Sequence, residues 1–258
     1  MGSPASRQSI PEGGRPGFAA AILTGGQGTR LRPVLPGTPK GLAPVLGRPF
    51  LRILLDQLAA AGLDRAVLCT GHLGREVRAA LGEAQGSLRL EYSQEDEPLD
   101  TAGALRLALP RLGAPAVLAL NGDSCLRAPL RPFLDWFVAS DARAALCLAE
   151  VEDTGRFGRV DLGPDNAVRS FAEKAASAGP GLVNAGVYLF RRGVLEGLPT
   201  GRLSLEREVF PSLVGNGLYG YPVRAGFLDI GTPDSYARAD EFFAAGGGGT
   251  PRADACRA

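Results

Sequence analysis

At 258 residues, with 45% hydrophobic and 21% charged residues, the chain has the composition of a globular protein that can bury a large core. Its formal net charge of +1 offers no field for nucleic acid or an anionic membrane, so any recognition of phosphate must be local. No stretch approaches the roughly 20 apolar residues that span a bilayer, and residues 1–17 contain no apolar core of a secretory signal, which points to a cytoplasmic protein.

Residues 1–17, rich in Gly, Pro, Ser and Arg, read as a disordered tail. Phe18 to Leu23 is then a short apolar run of the kind that forms a fully buried parallel strand. Gly25, Gly26 and Gly28 follow after Thr24, and glycine lets backbone N–H groups turn toward a ligand and approach it closely. Arg30 and Lys40 add full positive charge to that loop, and together they suit a triphosphate. The spacing fits neither the Walker A loop nor the GxGxxG dinucleotide turn.

Further along, strand and helix alternate. Phe50 to Ala61 places Leu51, Leu54, Leu55 and Leu58 on one helical face, closed by Gly62. Strands at Ala66 to Thr70, Leu88 to Ser93 and Ala116 to Leu120 interleave with helices at Gly74 to Leu81, Thr101 to Leu109 and Leu130 to Ala139. The second of these helices is expected to be capped by Thr101 and stopped at Pro110. The alternation predicts a doubly wound α/β sheet with a nucleotide-binding half over about 18–142.

Beyond residue 143 the strands shorten, at Ala144 to Val151, Arg159 to Leu162, Val168 to Phe171, Leu182 to Phe190 and Leu218 to Pro222. No Pro/Gly/Ser linker intervenes, so this half, about 143–245, is expected to continue the same mostly parallel mixed sheet within a single domain of 18–245. Pro233 to Ala245 reads as one last helix, and 246–258 as a second disordered tail.

Ligands in such sheets bind beyond the carboxyl ends of the strands. Asp123, in Asn121-Gly122-Asp123, ends a buried run, and Asp229 lies between apolar neighbours in Phe227-Leu228-Asp229-Ile230. Hard carboxylate oxygens of this kind suit Mg²⁺, which completes its shell with phosphate oxygens and water. Of the 28 basic residues only Lys40 and Lys174 are lysines, which marks both as point charges placed on phosphate rather than as generic surface cations. Cys69, Cys125, Cys147 and Cys256 show no CxxC or zinc spacing and read as reduced structural residues. His72, the single histidine, receives no role.

Gly25-Gly26-Gln27-Gly28-Thr29-Arg30-Leu31-Arg32-Pro33, completed by Pro39-Lys40, resembles the GGxGTRLxPxxxxxPK signature of sugar-1-phosphate nucleotidyltransferases. The resemblance extends over about 18–245 through Glu97-Pro98-Leu99-Asp100-Thr101-Ala102-Gly103-Ala104, Phe171-Ala172-Glu173-Lys174, Asn184-Ala185-Gly186 and the glycine of Phe157-Gly158. Ser204 to Pro211 and Phe227 to Tyr236 look most similar to heptose-1-phosphate and mannose-1-phosphate guanylyltransferases. Two positions depart from the family pattern, Asp100 where Gly is usual and Gly41 where Pro is usual.

The resemblance implies a Rossmann-like, glycosyltransferase-A-like fold, and condensation of a sugar 1-phosphate, first a heptose 1-phosphate, with an NTP, first GTP. The nucleotide contacts it implies are Leu23, Thr24, Gly25, Gly26, Gly28, Thr29, Arg30, Gln94, Thr101, Ala102, Gly103, Asn121 and Gly122. Gly158, Glu173, Lys174 and Asn184 would hold the sugar phosphate, Asp123 and Asp229 the Mg²⁺, and Arg30, Lys40, Asp123, Lys174 and Asp229 would carry the chemistry. A homodimer is also implied. The alternatives are a hexose-1-phosphate thymidylyl-, uridylyl- or adenylyltransferase, and a non-catalytic nucleotide-sugar sensor on the same fold.

Overall fold

A computed structural model describes residues 17–171 and 179–245. The tails predicted at both ends, apart from Gly17, lie outside the described residues, as do Glu173, Lys174 and Cys256. The main sheet comprises β1 (Phe18–Leu23), β2 (Arg65–Thr70), β3 (Ala84–Gln85), β4 (Leu88–Gln94), β5 (Ala116–Asn121), β6 (Ala144–Val151), β7 (Gly181–Arg191) and β8 (Leu218–Val223). Its spatial order is β8-β6-β7-β5-β1-β2-β4-β3. All strands run one way except β3 and β7, which run against their neighbours, so the sheet is mixed but mostly parallel, as expected.

The central strands are apolar because both of their faces are covered. Ala20 and Ile22 of β1, with Leu118 and Leu120 of β5, belong to one core. Ala19, Ala21, Val117 and Ala119 belong to the core on the opposite face. Strict alternation of side chains along a strand therefore divides one short run between two cores. Helix α1 (Phe50–Ala60) packs on the first face through Phe50, Leu51, Leu54, Leu55 and Leu58, all fully buried. It ends as its sequence requires. Gly62 takes the left-handed backbone (φ +85°), while its N–H reaches Ala59 O and that of Leu63 reaches Leu58 O, a Schellman closure.

Helices α2 (Gly74–Leu81), α3 (Asp100–Ala108) and α4 (Arg131–Ala139) follow. The expected cap on α3 is not formed. Thr101 lies inside the helix, with its hydroxyl donated to Glu206 Oε2 (2.9 Å) and accepting from the Leu205 N–H (2.8 Å). The α-helix does end before Pro110, at Ala108, and Pro110 itself sits within a 3₁₀ turn over Leu109–Arg111, where a missing N–H is tolerated. The predicted last helix is two pieces, Pro233–Ala237 and Ala239–Ala244, broken at Arg238 (φ −91°, ψ 0°). The first piece starts on a capping box between Thr232 and Ser235.

Candidate active site

β1 lies where the chain turns from one side of the sheet to the other, so the carboxyl ends of β1, β2, β4 and β5 border a single crevice. Two adjoining cavities fill it, of about 860 Å³ and about 220 Å³, sharing Leu23, Gly26 and Asp123. Thr24, Gly28, Thr29, Arg30, Lys40 and Gly122 line the smaller one. Gly25, Gln94, Thr101 and Asn121 line the larger, together with Gln27 and His72.

The three loop glycines serve different ends. Gly26 faces open space, so its backbone is bare to the cavity. Gly28 adopts the left-handed conformation (φ +59°), which costs other residues about 1 kcal/mol or more. Gly25 makes room for a side chain, since a Cβ there would lie 2.7 Å from Glu95 Oε1. Gly122 approaches protein as well as cavity: its N–H reaches Leu23 O (2.8 Å), and a Cβ would meet that same oxygen. Gly41 is buried, with its would-be Cβ 2.7 Å from Leu51 and 3.0 Å from Thr24 Oγ1. The departure from proline at this position accompanies tight packing against α1.

A short ribbon brings the two aspartates together. Ser124–Leu126 pairs antiparallel with Phe227–Asp229, with Asp229 opposite Ser124. The Ile230 N–H then reaches Asp123 O (2.9 Å), which ties residues more than 100 positions apart. With three residues on each side, the ribbon has no periodicity for sequence reading to detect. The Lys40 ammonium pairs with Asp123 Oδ2, and the Ser124 hydroxyl donates to Oδ1 (3.1 Å). Gly231 keeps this space open, for a Cβ there would stand 2.9 Å from Lys40 Nζ.

Burial and then the charge of Asp123 push the Asp229 carboxyl above its ordinary range, while Lys40, the Gly231 N–H and Arg30 pull it back. A buried carboxylate raised in this way by the charge of a second one, beside two cations, makes a site suited to a divalent ion with phosphate attached. Among the described residues no group of three or more His, Cys, Asp or Glu could hold a metal, so the remaining coordination would fall to phosphate oxygens and water.

Glu95, which directly follows β4, is the residue that sequence reasoning missed. Its N–H extends the strand ladder to Thr70 O (2.9 Å) and its carboxylate lies in the larger cavity, against Gly25 and Gly71. Burial, with a smaller contribution from Asp100, raises its carboxyl, and the Leu99 N–H donated to Oε2 (3.1 Å) opposes this. Gln94, the predicted contact, is exposed at the rim of the same cavity. A signal was available, namely a carboxylate within two residues of the carboxyl end of a strand, as at Asp123. Asp100 has φ +62°, which accounts for glycine in the pattern that the sequence resembles. Its carboxylate pairs with Arg207 and lies 3.8 Å from Arg202, across the cavity mouth.

Several predicted contacts stand back from the cavities. The Ala102 and Gly103 N–H groups both donate to Leu203 O, and Gly103 packs so closely on Gly201 that a Cβ would lie 2.3 Å from its carbonyl oxygen. Asn184 uses both ends of its amide internally, on Tyr188 Oη (3.0 Å) and the Gly186 N–H (2.9 Å). Gly158 (φ +80°) turns the chain beside Phe157, whose ring meets Phe227 edge to face. Cys69 and Cys125 are buried thiols, each pushed up to about 12 by desolvation, and Cys147 is raised likewise, so none offers a thiolate.

Comparison with known proteins places the chain among sugar-phosphate nucleotidyltransferases. The mannose-1-phosphate guanylyltransferase of Mycobacterium tuberculosis is 37% identical over 224 residues, 85% of this chain; the chain spans 62% of that relative's length. The D-glycero-alpha-D-manno-heptose 1-phosphate guanylyltransferase of Aneurinibacillus thermoaerophilus is 31% identical over 86% of this chain and 96% of its own. The crystal structure of HddC from Yersinia pseudotuberculosis complexed with GMP-PN superposes with a TM-score of 0.78 at 29% identity, covering 88% of this chain and 99% of that one. The nucleotidyl transferase family model matches residues 19–246, and the chain belongs to that family.

Proposed function

We propose that the protein condenses a sugar 1-phosphate with a nucleoside triphosphate, releasing pyrophosphate, with GTP and a heptose 1-phosphate as its substrates. The observation that carries this reading is the convergence of Lys40, Asp123 and Asp229 beside the glycine loop, at the carboxyl ends of β1 and β5. In the reaction a sugar-phosphate oxygen attacks the α-phosphorus. The new P–O bond forms as the bond to the bridging oxygen breaks, and pyrophosphate leaves in line. The nucleophile is already an anion, so no general base is needed, and catalysis is positioning plus neutralisation of charge.

Bare amides at Gly26 and Gly28, with Arg30, hold the triphosphate, and Lys40 neutralises the reacting phosphates. Asp123 and Asp229 hold Mg²⁺, which supplies charge stabilisation at the reacting phosphates when bound. Glu173 and Lys174 hold the sugar phosphate. Glu95 reads the base, because a carboxylate accepts from both the N1–H and the exocyclic amine of guanine, whereas adenine presents an acceptor at N1. Asn121 Oδ1, buried without a hydrogen-bond partner beside the same cavity, offers an acceptor for a ribose hydroxyl.

No helix among the described residues is long and apolar enough to cross a membrane; we assign the enzyme to the cytoplasm, as a homodimer. The test is pyrophosphate release with Mg²⁺ over a grid of GTP, ATP, CTP, UTP and dTTP against heptose, mannose and glucose 1-phosphates. GTP with heptose 1-phosphate is the expected strongest pair. Mannose 1-phosphate in its place would move the assignment to the other sugar, and a blank grid with GTP bound would favour the non-catalytic sensor.

A further inference from the structure

Behind the cavities, one buried hydroxyl joins three elements. Tyr188 of β7 is fully buried, and its Oη accepts from Asn121 Nδ2 (3.2 Å) and Asn184 Nδ2 (3.0 Å) while donating to Glu206 Oε1 (3.4 Å). A phenol has one proton to give and two lone pairs to fill, so every valence of this group is in use. Asn121 lines the larger cavity two residues before Asp123. Asn184 lies on the strand that enters the sugar-side half. Glu206 turns the network back to the cavity wall, because its Oε2 accepts from the hydroxyls of Thr101 (2.9 Å) and Ser204 (3.2 Å).

The backbone is shaped to permit this. β7 slips register between Asn184 and Tyr188 against its partner β6, and within the slip Gly186 takes φ +72°. A Cβ on Gly186 would press on Asn121 at 3.0 Å, so the irregularity brings β7 down onto the end of β5. Bulges of this kind re-aim side chains next to sites. Burial and the Glu206 charge hold the Tyr188 phenol well above its usual range, so it retains the proton it donates.

We propose that Tyr188 is a positioning residue that couples the sugar-side strand to the nucleotide cavity, fixing Asn121, and with it the turn bearing Asp123, according to the placement of Asn184 and Glu206. The proposal rests on the reading of the cavity as a nucleotide site, and its test is a double-mutant cycle read by GTP binding in the presence of Mg²⁺. Asn184→Ala touches the sugar-side strand alone, yet with Tyr188 present it is expected to weaken GTP binding by roughly fivefold or more, a coupling typical of residues in one hydrogen-bond network. In the Tyr188→Phe protein the same change should alter GTP affinity less than about twofold. A role in packing alone would make the two substitutions additive.

Equal weakening in both backgrounds, or no effect of Asn184→Ala on GTP binding when Tyr188 is present, would overturn the proposal. Should Tyr188→Phe fail to fold, Glu206→Gln provides the second background, since an amide has only one acceptor end for the partners that the carboxylate now shares. Failure of the enzymatic reading is seen separately, as bound GTP without pyrophosphate release in the unsubstituted protein.

Discussion

Asp123 and Asp229 differ in surroundings although they share a site. Asp123 has Lys40 and the Ser124 hydroxyl on its two oxygens, whereas burial and the Asp123 charge both act against the ionised form of Asp229. Asp123→Asn keeps the shape and removes the charge, and pyrophosphate release is expected to fall by roughly 10³-fold or more. Turnover like that of the unsubstituted protein would remove Asp123 from the metal site. Glu95→Gln tests the base reader in two ways. Its carboxyl is raised in the fold, so ionising it opposes folding at neutral pH, and that penalty disappears as pH falls. The glutamine protein should therefore unfold at a higher temperature than the parent at pH 7, with the gap narrowing toward pH 5. Its preference for GTP over ATP should fall by roughly 10- to 100-fold, the loss of a charge-assisted hydrogen bond. A variant that keeps its full GTP preference would assign base reading elsewhere. At this scale the cations and aspartates beside glycines were legible in the sequence, because charge next to a buried apolar run has few bland explanations. Tyr188 was not legible, since within Val187-Tyr188-Leu189-Phe190 only its ring, and not its hydroxyl, registers as pattern.

The same division holds for the elements. Long apolar runs fixed β1, β5, β6 and the buried face of α1, because periodicity and burial agree there. The start of α3 was misread because tertiary bonds from the segment around Leu203 displace a local cap: Leu203 O takes the Ala102 and Gly103 N–H groups, and Thr101 serves Glu206. At the first residue of that helix, Asp100 carries a left-handed backbone and an ion pair with Arg207. The two contributions can be separated by substitution. Asp100→Gly releases the backbone strain and loses the pairing with Arg207, worth about 0–1 kcal/mol, together with the Thr101 N–H bond to Oδ1 (3.0 Å), both of which Asp100→Ala loses as well. Asp100→Ala loses the pairing and keeps the strain, so it should be less stable than the glycine variant by roughly 1–2 kcal/mol, which corresponds to about 2–8 °C in thermal unfolding. Equal melting temperatures would mean that the backbone at position 100 relaxes.

For the molecule as a whole, the proposed nucleotide-binding and sugar-binding halves are not separate folding units. β7 lies between β5 and β6, so removing everything after residue 142 leaves β5, buried on both faces, as a bare sheet edge. Return contacts are spread along the chain. The Arg191 guanidinium binds Phe137 O, Ser140 O and Ala142 O at the carboxyl end of α4, satisfying carbonyls that the helix itself cannot. Tyr236 Oη reaches Pro44 O (2.7 Å), Asp240 accepts from the Leu46 N–H (2.8 Å), and Phe243 packs edge to face on Phe50. The ribbon holding Asp229 against Ser124 brings the two aspartates together by the same route. A fragment of residues 17–142 should therefore lack a cooperative thermal transition and elute as aggregate in gel filtration, whereas the full chain should melt in one transition. A monomeric fragment with a sigmoidal melt would show that the glycine loop and its strands fold alone, with the sugar-side strands added to a finished core. The single sheet argues against that order, since the strand that must cover β5 is the same one whose irregularity seats Gly186 against Asn121.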